Sequence, residues 1–324
     1  MTETTATPTT PSQTAEVPLR VGTRASLLAR TQSEQVAALL REALGREVVL
    51  VEVTTEGDIS AAPLASMGGA GVFVSALRDA LLRGDVDLAV HSLKDLPTYP
   101  QEGVTLAAVP PREDPRDVVV ARDGLTLGEL PAGSTVGTGS PRRAAQLAAL
   151  GLGLDVVDIR GNVDTRIRKV TSGELDAVVL ARAGLARIGR VDEATEVLDP
   201  LQMLPAPGQG ALAVECRSDE EFLADQVRLA LDDDRTRAAV TAERTVLNVL
   251  EAGCSAPVGA LAEIAEGDHG DELWVRAVAL SYDGAVAVRR SATGTPDDAV
   301  GVGQRLAAEM LEEGADTLIS ERVS

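Results

Sequence analysis

Apolar positions along this chain recur with two alternating periods. Leu19 to Gly22 reads as a short strand, and Leu28, Val36, Leu39, Leu40 and Ala43 follow at helical spacing. Ser26 is placed to cap that helix and Gly45 to end it. A second strand lies in EVVLVEV (47–53), followed by a loop rich in Gly, Ala and Ser. A helix from about Val74 to Arg83 comes next, then a short apolar strand inside GDVDLAVHSLKDLP. The pattern then repeats: GDVDLAVHS (84–92) resembles GELDAVVLA (173–181), and VGTRAS (21–26) resembles VGTGS (136–140). Strands alternating with helices in two tandem units predict α/β domains with parallel sheets.

The Pro-rich VPPREDPRD (109–117) reads as the crossing between the units, and LPAPGQGALAVECR (204–217) as the return, ending in a strand. From about Asp234 the pattern changes. A long helix (236–253) stops at Gly253, two alternating strands flank an Asp283–Gly284 turn, a helix runs from about Asp297 to Glu313, and a last strand lies near Thr317. That predicts a smaller C-terminal α+β domain. The expected boundaries are a tail over 1–17, domain 1 over 18–110 plus 211–232, domain 2 over 111–210 and domain 3 over 233–324.

Of the 324 residues, 44% are apolar and only 2% aromatic, so the cores must be built from Ala, Val and Leu. No apolar run reaches the roughly 18 residues of a membrane span, so no membrane partner is expected. Residues 1–17 lack a basic start and an apolar centre, and read as a disordered tail rather than a secretory signal. With Cys216 and Cys254 as the only cysteines, a disulfide framework is not expected and a cytoplasmic location is. A net charge of −20 argues against a nucleic-acid partner. Yet residues 138–190 hold nine basic and five acidic residues, a local +4 suited to a cleft that collects a small polyanion.

HSLKDLP (91–97) follows a buried-looking strand, and ligands of open parallel sheets bind beyond the carboxyl ends of strands. Asp95 and Lys94 therefore stand where chemistry is expected, and Lys94 is one of only two lysines. GTGSPRRAAQL (137–147) is a strand-to-helix turn with Ser140 as N-cap and Pro141 at the first helical position. The free N–H groups there, with Arg142 and Arg143, favour an anion. RGNVDTRIRK (160–169) repeats the theme with Asn162 as cap and Arg160, Arg166 and Lys169 nearby, and Arg24 and Ser26 occupy the matching turn of the first unit. Guanidinium forks suit carboxylates. Each motif alone also fits a structural role: a solvated loop pair, a capped helix or a mixed-charge surface. His91 reads as a core residue and Cys216 as a buried strand thiol. Two histidines (His91 and His269) and no cysteine cluster imply no metal. Cys254 lies on a turn after a helix C-terminus, whose dipole raises rather than lowers a thiol pKa.

Taken together, GTRASLLARTQ, FVSALRDALL, DLAVHSLKDLP, REDPRDV, GTGSPRRAAQL, RGNVDTRI, DAVVLARAGLARIG, LPAPGQGALAVECR and TAERTVLNVLEAGCSAPVG resemble the porphobilinogen deaminase (hydroxymethylbilane synthase) family from about residue 18 to the end. The resemblance implies two tandem type II periplasmic-binding-protein-like α/β domains with a smaller third domain. It implies a monomer whose substrate is porphobilinogen. Its cofactor would be a dipyrromethane covalently attached through Cys254, which primes four deaminative condensations before water releases the linear tetrapyrrole. Such a thiol must be reachable, which suits a turn. By the same match Asp95 is catalytic, and Lys94, Ser92, Thr138, Ser140, Arg142 and Arg143 hold the primer. Arg24, Ser26, Arg160, Asn162, Arg166, Arg187 and Gln209 hold substrate or chain carboxylates. Each pyrrole carries an acetate and a propionate, which accounts for a basic stretch in an acidic protein.

The sequence departs from the family in GGAG (68–71), with Ala70 where lysine is common, and at Glu56, Ser66 and Ser75. The lid role of those lysines does not transfer. The rival reading is a non-catalytic two-lobed binder of a small polycarboxylate, which leaves Cys254 and the third domain unexplained.

Overall fold

The computed structural model describes residues 17–54, 71–253, 256–268 and 270–320, arranged on two five-stranded sheets and one three-stranded sheet. The first sheet takes β1 (Leu19–Thr23), β2 (Val48–Glu52), β3 (Leu88–Ser92) and β4 (Val104–Ala108), with helices α1 (Leu27–Leu44) and α2 (Gly71–Leu82). The second takes β5 (Asp117–Ala121), β6 (Thr135–Gly137), β7 (Asp155–Val157), β8 (Ala177–Ala181) and β9 (Glu196–Val197), with α3 (Pro141–Ala149), α4 (Val163–Thr171) and α5 (Arg182–Arg187). The chain then returns to the first sheet with β10 (Leu212–Arg217).

The strand orders are β2-β1-β3-β10-β4 and β7-β6-β8-β5-β9. They follow one plan. In each, a central strand (β3 or β8) is parallel to one neighbour (β1 or β6) and antiparallel to a strand delivered by a crossing on the other side (β10 or β5). The repeat seen in GDVDLAVHS and GELDAVVLA falls on those two central strands. Both are buried on both faces, which is why they read as unbroken apolar runs.

Local signals explain both ends of α1. Ser26 Oγ accepts from Ala29 N (3.4 Å) at the start of α1, and Gly45 closes it in the left-handed region (φ 60°). Val36, Ala37 and Leu40 of α1 bury against the first sheet together with Leu223 and Val227 of α6 (Glu221–Leu231), a helix the pattern reading did not single out.

The C-terminal unit holds α7 (Asp234–Val249), β11 (Val258–Gly267), β12 (Gly270–Leu280), β13 (Ala287–Gly294), α8 (Ala299–Glu312) and α9 (Ala315–Ser320). Its antiparallel sheet runs β11-β12-β13, with the expected hairpin at Asp283–Gly284. Three expectations are corrected here. β11 was not foreseen: VGALAEIAEG is rich in Ala and Gly, and pairing with β12 decides its state rather than propensity. The segment near Thr317 is helix α9, not a strand. Ala315 is buried and Leu318 and Ile319 pack on the core, and so short an apolar run cannot tell helix from strand by its period. The long helix ends at Val249, not Gly253, and the left-handed residue after it is Glu251 (φ 51°).

The units meet closely. A Cβ on Gly210 (φ 88°) would lie 2.3 Å from Glu113 O, so the two crossings pass where only glycine fits. Leu28 of α1 approaches Gly184 of α5 across the first two units, and Ala145, Leu204, Leu261, Val278 and Leu280 form one apolar cluster between the second and third.

Candidate active site

The expected site residues lie on the stretches that leave the carboxyl ends of the parallel strands. Arg24 and Ser26 follow β1, and Ser92, Lys94 and Asp95 end or follow β3. Thr138 and Ser140 precede α3, Arg160 and Asn162 precede α4, and Arg187 ends α5 behind β8. Cys254 lies outside the described residues, as do Glu56, Ser66, Ala70, His269 and residues 1–16 of the expected tail.

Lys94 and Asp95 ride a single 3-10 turn, Leu93–Asp95. Its entry is pinned by Leu93 N donating to Ala211 O (3.0 Å), and its exit by Leu96 N donating to Leu93 O (3.1 Å). Among the described residues nothing donates a hydrogen bond to the half-buried Asp95 carboxylate. Burial holds the Lys94 ammonium down to about 8, against the pull of Asp95 and with the help of Arg143. Lys94 Nζ donates to Gln209 Oε1 (3.3 Å). Beside it Ser92 Oγ accepts from Gln32 Nε2 (3.0 Å).

Gln209, on the return crossing, is buried and fully engaged. Its Nε2 donates to Pro115 O (2.6 Å) and to Asp117 Oδ1 (2.8 Å). Asp117 is wholly buried at the start of β5. Arg142 Nη2 donates to its Oδ2 (2.7 Å), and Arg143 Nη2 to its Oδ1 (2.8 Å). Burial alone would raise the Asp117 carboxyl, but the two guanidiniums overcome it and hold it well below the usual carboxylate range. A path of polar contacts therefore runs from the Asp95 turn through Gln209 and Asp117 to α3, from the first sheet to the second. Arg142 and Arg143 are consequently buried, not exposed on a helix surface.

The other arginines have fewer acidic partners. Among the described residues Arg166 Nε donates to Gly161 O alone (2.9 Å), and burial and Arg143 push its guanidinium down, with Asp158 opposing. Arg160 is exposed, 4.0 Å from Asp158. Arg187 Nη2 donates to Gly210 O (2.6 Å), and burial lowers its pKa too. Arg142 Nε is buried with no partner among the described residues. Thr138 is buried and accepts from Ser140 N (3.2 Å). Ser140 caps α3, and Asn162 caps α4 by accepting from Thr165 N (2.9 Å). Arg24 is half-buried beside the Ser26 cap. Guanidiniums and helix starts of this kind are what a polycarboxylate requires.

Two groups do other work. Cys216 is buried in β10, where burial pushes its thiol up to about 11. His91 is buried on β3, its Nε2 lying 3.3 Å from Glu215 Oε2.

Sequence reasoning missed Asp117, Glu243 and Arg244. Glu243 is wholly buried on α7 and accepts from Arg112 Nη1 (2.6 Å), Gly208 N (2.6 Å) and Ala262 N (2.8 Å). It thus ties both crossings to β11. The available signal was a glutamate on the apolar stripe of α7, between Ala239 and Val246.

Two family models match the chain. "Porphobilinogen deaminase, dipyromethane cofactor binding domain" covers residues 19–225, and "Porphobilinogen deaminase, C-terminal domain" covers 237–312. The porphobilinogen deaminase of Nocardia farcinica is 59% identical over 94% of this chain and 88% of its own. Porphobilinogen deaminase 1 of Streptomyces coelicolor is 58% identical over 95% and 99%, and that of Mycobacterium tuberculosis H37Rv is 58% identical over 93% and 98%. Among solved structures, the methionine binding protein MetQ aligns over 65% of this chain and 89% of its own, at TM-score 0.43 and 14% identity.

Proposed function

The chain belongs to the porphobilinogen deaminase family, and we propose that Asp95 is the group on which its chemistry turns. The protein is a hydroxymethylbilane synthase of tetrapyrrole biosynthesis, condensing four porphobilinogen molecules in turn, with loss of ammonia, and releasing the linear tetrapyrrole. Its cofactor is a dipyrromethane.

That cofactor, once bound, supplies the pyrrole carbon from which the product grows. The residues present fit it. Two pyrroles bring four carboxylates, and the buried Arg142 Nε, unpartnered among the described residues, the helix start of α3 and the buried Arg166 guanidinium all favour anions there. In this reading the Cys254 thiol holds it as a thioether, and Ser92, Lys94, Thr138, Ser140, Arg142 and Arg143 face its carboxylates. Arg24, Ser26, Arg160, Asn162 and Arg166 take the side chains of incoming and growing units. Arg187 and Gln209 serve the same ligands from beside and on the return crossing.

Loss of ammonia from porphobilinogen leaves positive charge shared onto its pyrrole nitrogen. The Asp95 carboxylate, which accepts no hydrogen bond from the described residues, is available to accept that N–H and to steady the charge. In a cleft that excludes water the effect is far larger than in solution. The observation that carries the reading is the polar path from the Lys94–Asp95 turn through Gln209 and Asp117 to Arg142 and Arg143. It links the turn that carries the carboxylate in one unit to the guanidiniums of the other, which supports reading them as a single site.

We assign the first domain to 18–110 plus 211–232, the second to 111–210 and the third to 233–324. This is supported by the three sheets and by the close crossings at Glu113 and Gly210. We assign the protein to the cytoplasm as a monomer. The unpaired Cys216 supports the first, and the supply of all these groups by one chain supports the second. No helix among the described residues is long and apolar enough to cross a membrane.

Intact mass and turnover of Asp95→Asn test the mechanism. The variant should keep a mass excess of two pyrrole units, which Cys254→Ser removes, and lose about 10²-fold or more in kcat. Near-wild-type turnover removes Asp95 from the mechanism, and an unmodified wild-type chain removes Cys254 as the attachment point.

A further inference from the structure

We infer that Arg244, on the third unit, is a positioning residue that fixes the Asp95 turn; the inference rests on the reading of Asp95 given above. Arg244 lies on α7, one residue after Glu243. Its Nη1 donates to Leu93 O (3.2 Å) and Leu96 O (2.9 Å), and its Nη2 to Pro97 O (2.6 Å). One guanidinium thus gathers three carbonyls of the segment that carries Lys94 and Asp95. The Asp95 carboxylate takes no hydrogen bond from the described residues, so its place is set by the backbone beneath it.

That backbone is held at two points. Ala211 O, on the return crossing, accepts from Leu93 N at the entry, and Arg244 holds the exit. Packing of the buried Leu93 and Leu96 anchors the turn as well, but apolar contacts do not set the direction of its carbonyls. Val240 of α7 touches the cluster of Leu93, Leu96 and Val109, but a cavity of about 200 Å³ opens alongside, lined by Leu93, Thr98, Thr245 and Asn248. Beside that gap the guanidinium is a polar link from α7 to the turn. Lysine cannot take its place, because an ammonium is a point charge without a planar fork. Adjacent residues of α7 therefore hold different parts of the site. Glu243 clamps the crossings, and Arg244 clamps the catalytic turn.

The test uses Arg244→Lys and Arg244→Gln in the full chain, each alone and combined with Asp95→Asn. If Arg244 acts through Asp95, kcat falls about tenfold or more while KM for porphobilinogen stays within about twofold. Amide exchange across 93–97 quickens, a readout that does not depend on turnover. In the Asp95→Asn background the Arg244 substitution costs nothing further in single turnover. Should Arg244→Gln fail to fold, Arg244→Lys, which keeps the stem and the charge, carries the test. Wild-type kcat in Arg244→Lys, unchanged exchange at 93–97, or losses that multiply with Asp95→Asn would each overturn the inference. An inactive Asp95→Asn beside a fully active Arg244→Lys overturns this inference alone; a fully active Asp95→Asn overturns both readings.

Discussion

Lys94 is one of two lysines in a chain with thirty basic residues, and its ammonium, held down to about 8 by burial, is the site cation that can lose its proton near neutrality. A lowered lysine is charged below its pKa and neutral above it. The attraction of the free enzyme for a carboxylated substrate should therefore weaken as pH rises through about 8. A bound carboxylate favours the charged form and moves the limb upward in the complex. We expect kcat/KM for porphobilinogen to fall above pH 8 and Lys94→Arg to abolish that limb; an unchanged limb in the variant would assign it to another group. Lys94 and Asp95 were legible in the sequence because they follow a central strand. Arg142 and Arg143 were legible as a charge pair but not as buried. Their partner Asp117 sits on a crossing strand far away in sequence, and no local period reports such a pairing.

Elements whose side chains bury on a fixed period were readable, and those decided by pairing were not. Gly45 and Ser26 mark α1 faithfully, whereas β11 and α9 owe their state to the core they join. Below the central strand of the first sheet lies a buried set that no period announces. Arg78 of α2 donates through Nε and Nη2 to Glu215 of β10 (2.9 and 2.7 Å), with His91 of β3 beside it. Burial alone would raise the Glu215 carboxyl, yet the Arg78 hydrogen bonds and His91 bring it down to about 2. A depressed carboxyl stabilises the fold above its unfolded pKa, near 4.5, and that share is lost as pH falls toward 2. Glu215→Gln should cost about 3 kcal/mol at pH 7, because it strands the buried Arg78. It should also flatten the pH dependence of stability between about 4.5 and 2. Urea unfolding across that range decides it, and a parallel acid limb in wild type and variant would count against this account.

At the scale of the molecule, the two crossings are the joint between the sheets, and Gly210 is its tightest point. Alanine there meets both a disfavoured φ and the carbonyl of Glu113 at 2.3 Å, whereas Gly45, also at positive φ, has open space around it. Gly45→Ala should cost about 1 kcal/mol. Gly210→Ala should cost about 2 kcal/mol more, because backbone has to shift. Chemical denaturation of the pair checks this, and equal losses would mean that the crossings separate freely. The Pro-rich and Gly-rich composition of the two segments disclosed the joint. Its closeness was not legible, since it depends on two stretches about a hundred residues apart meeting in space.

The placement of β10 between β3 and β4 has a consequence for synthesis on the ribosome. The second sheet is made from one uninterrupted stretch and can close as soon as β9 has emerged. The first cannot, for β4 has no neighbour until β10 is translated. The nascent N-terminal half thus waits with two open strand edges while its twin folds ahead of it. Such edges invite pairing with other chains, so this interval is when the growing polypeptide most needs shielding.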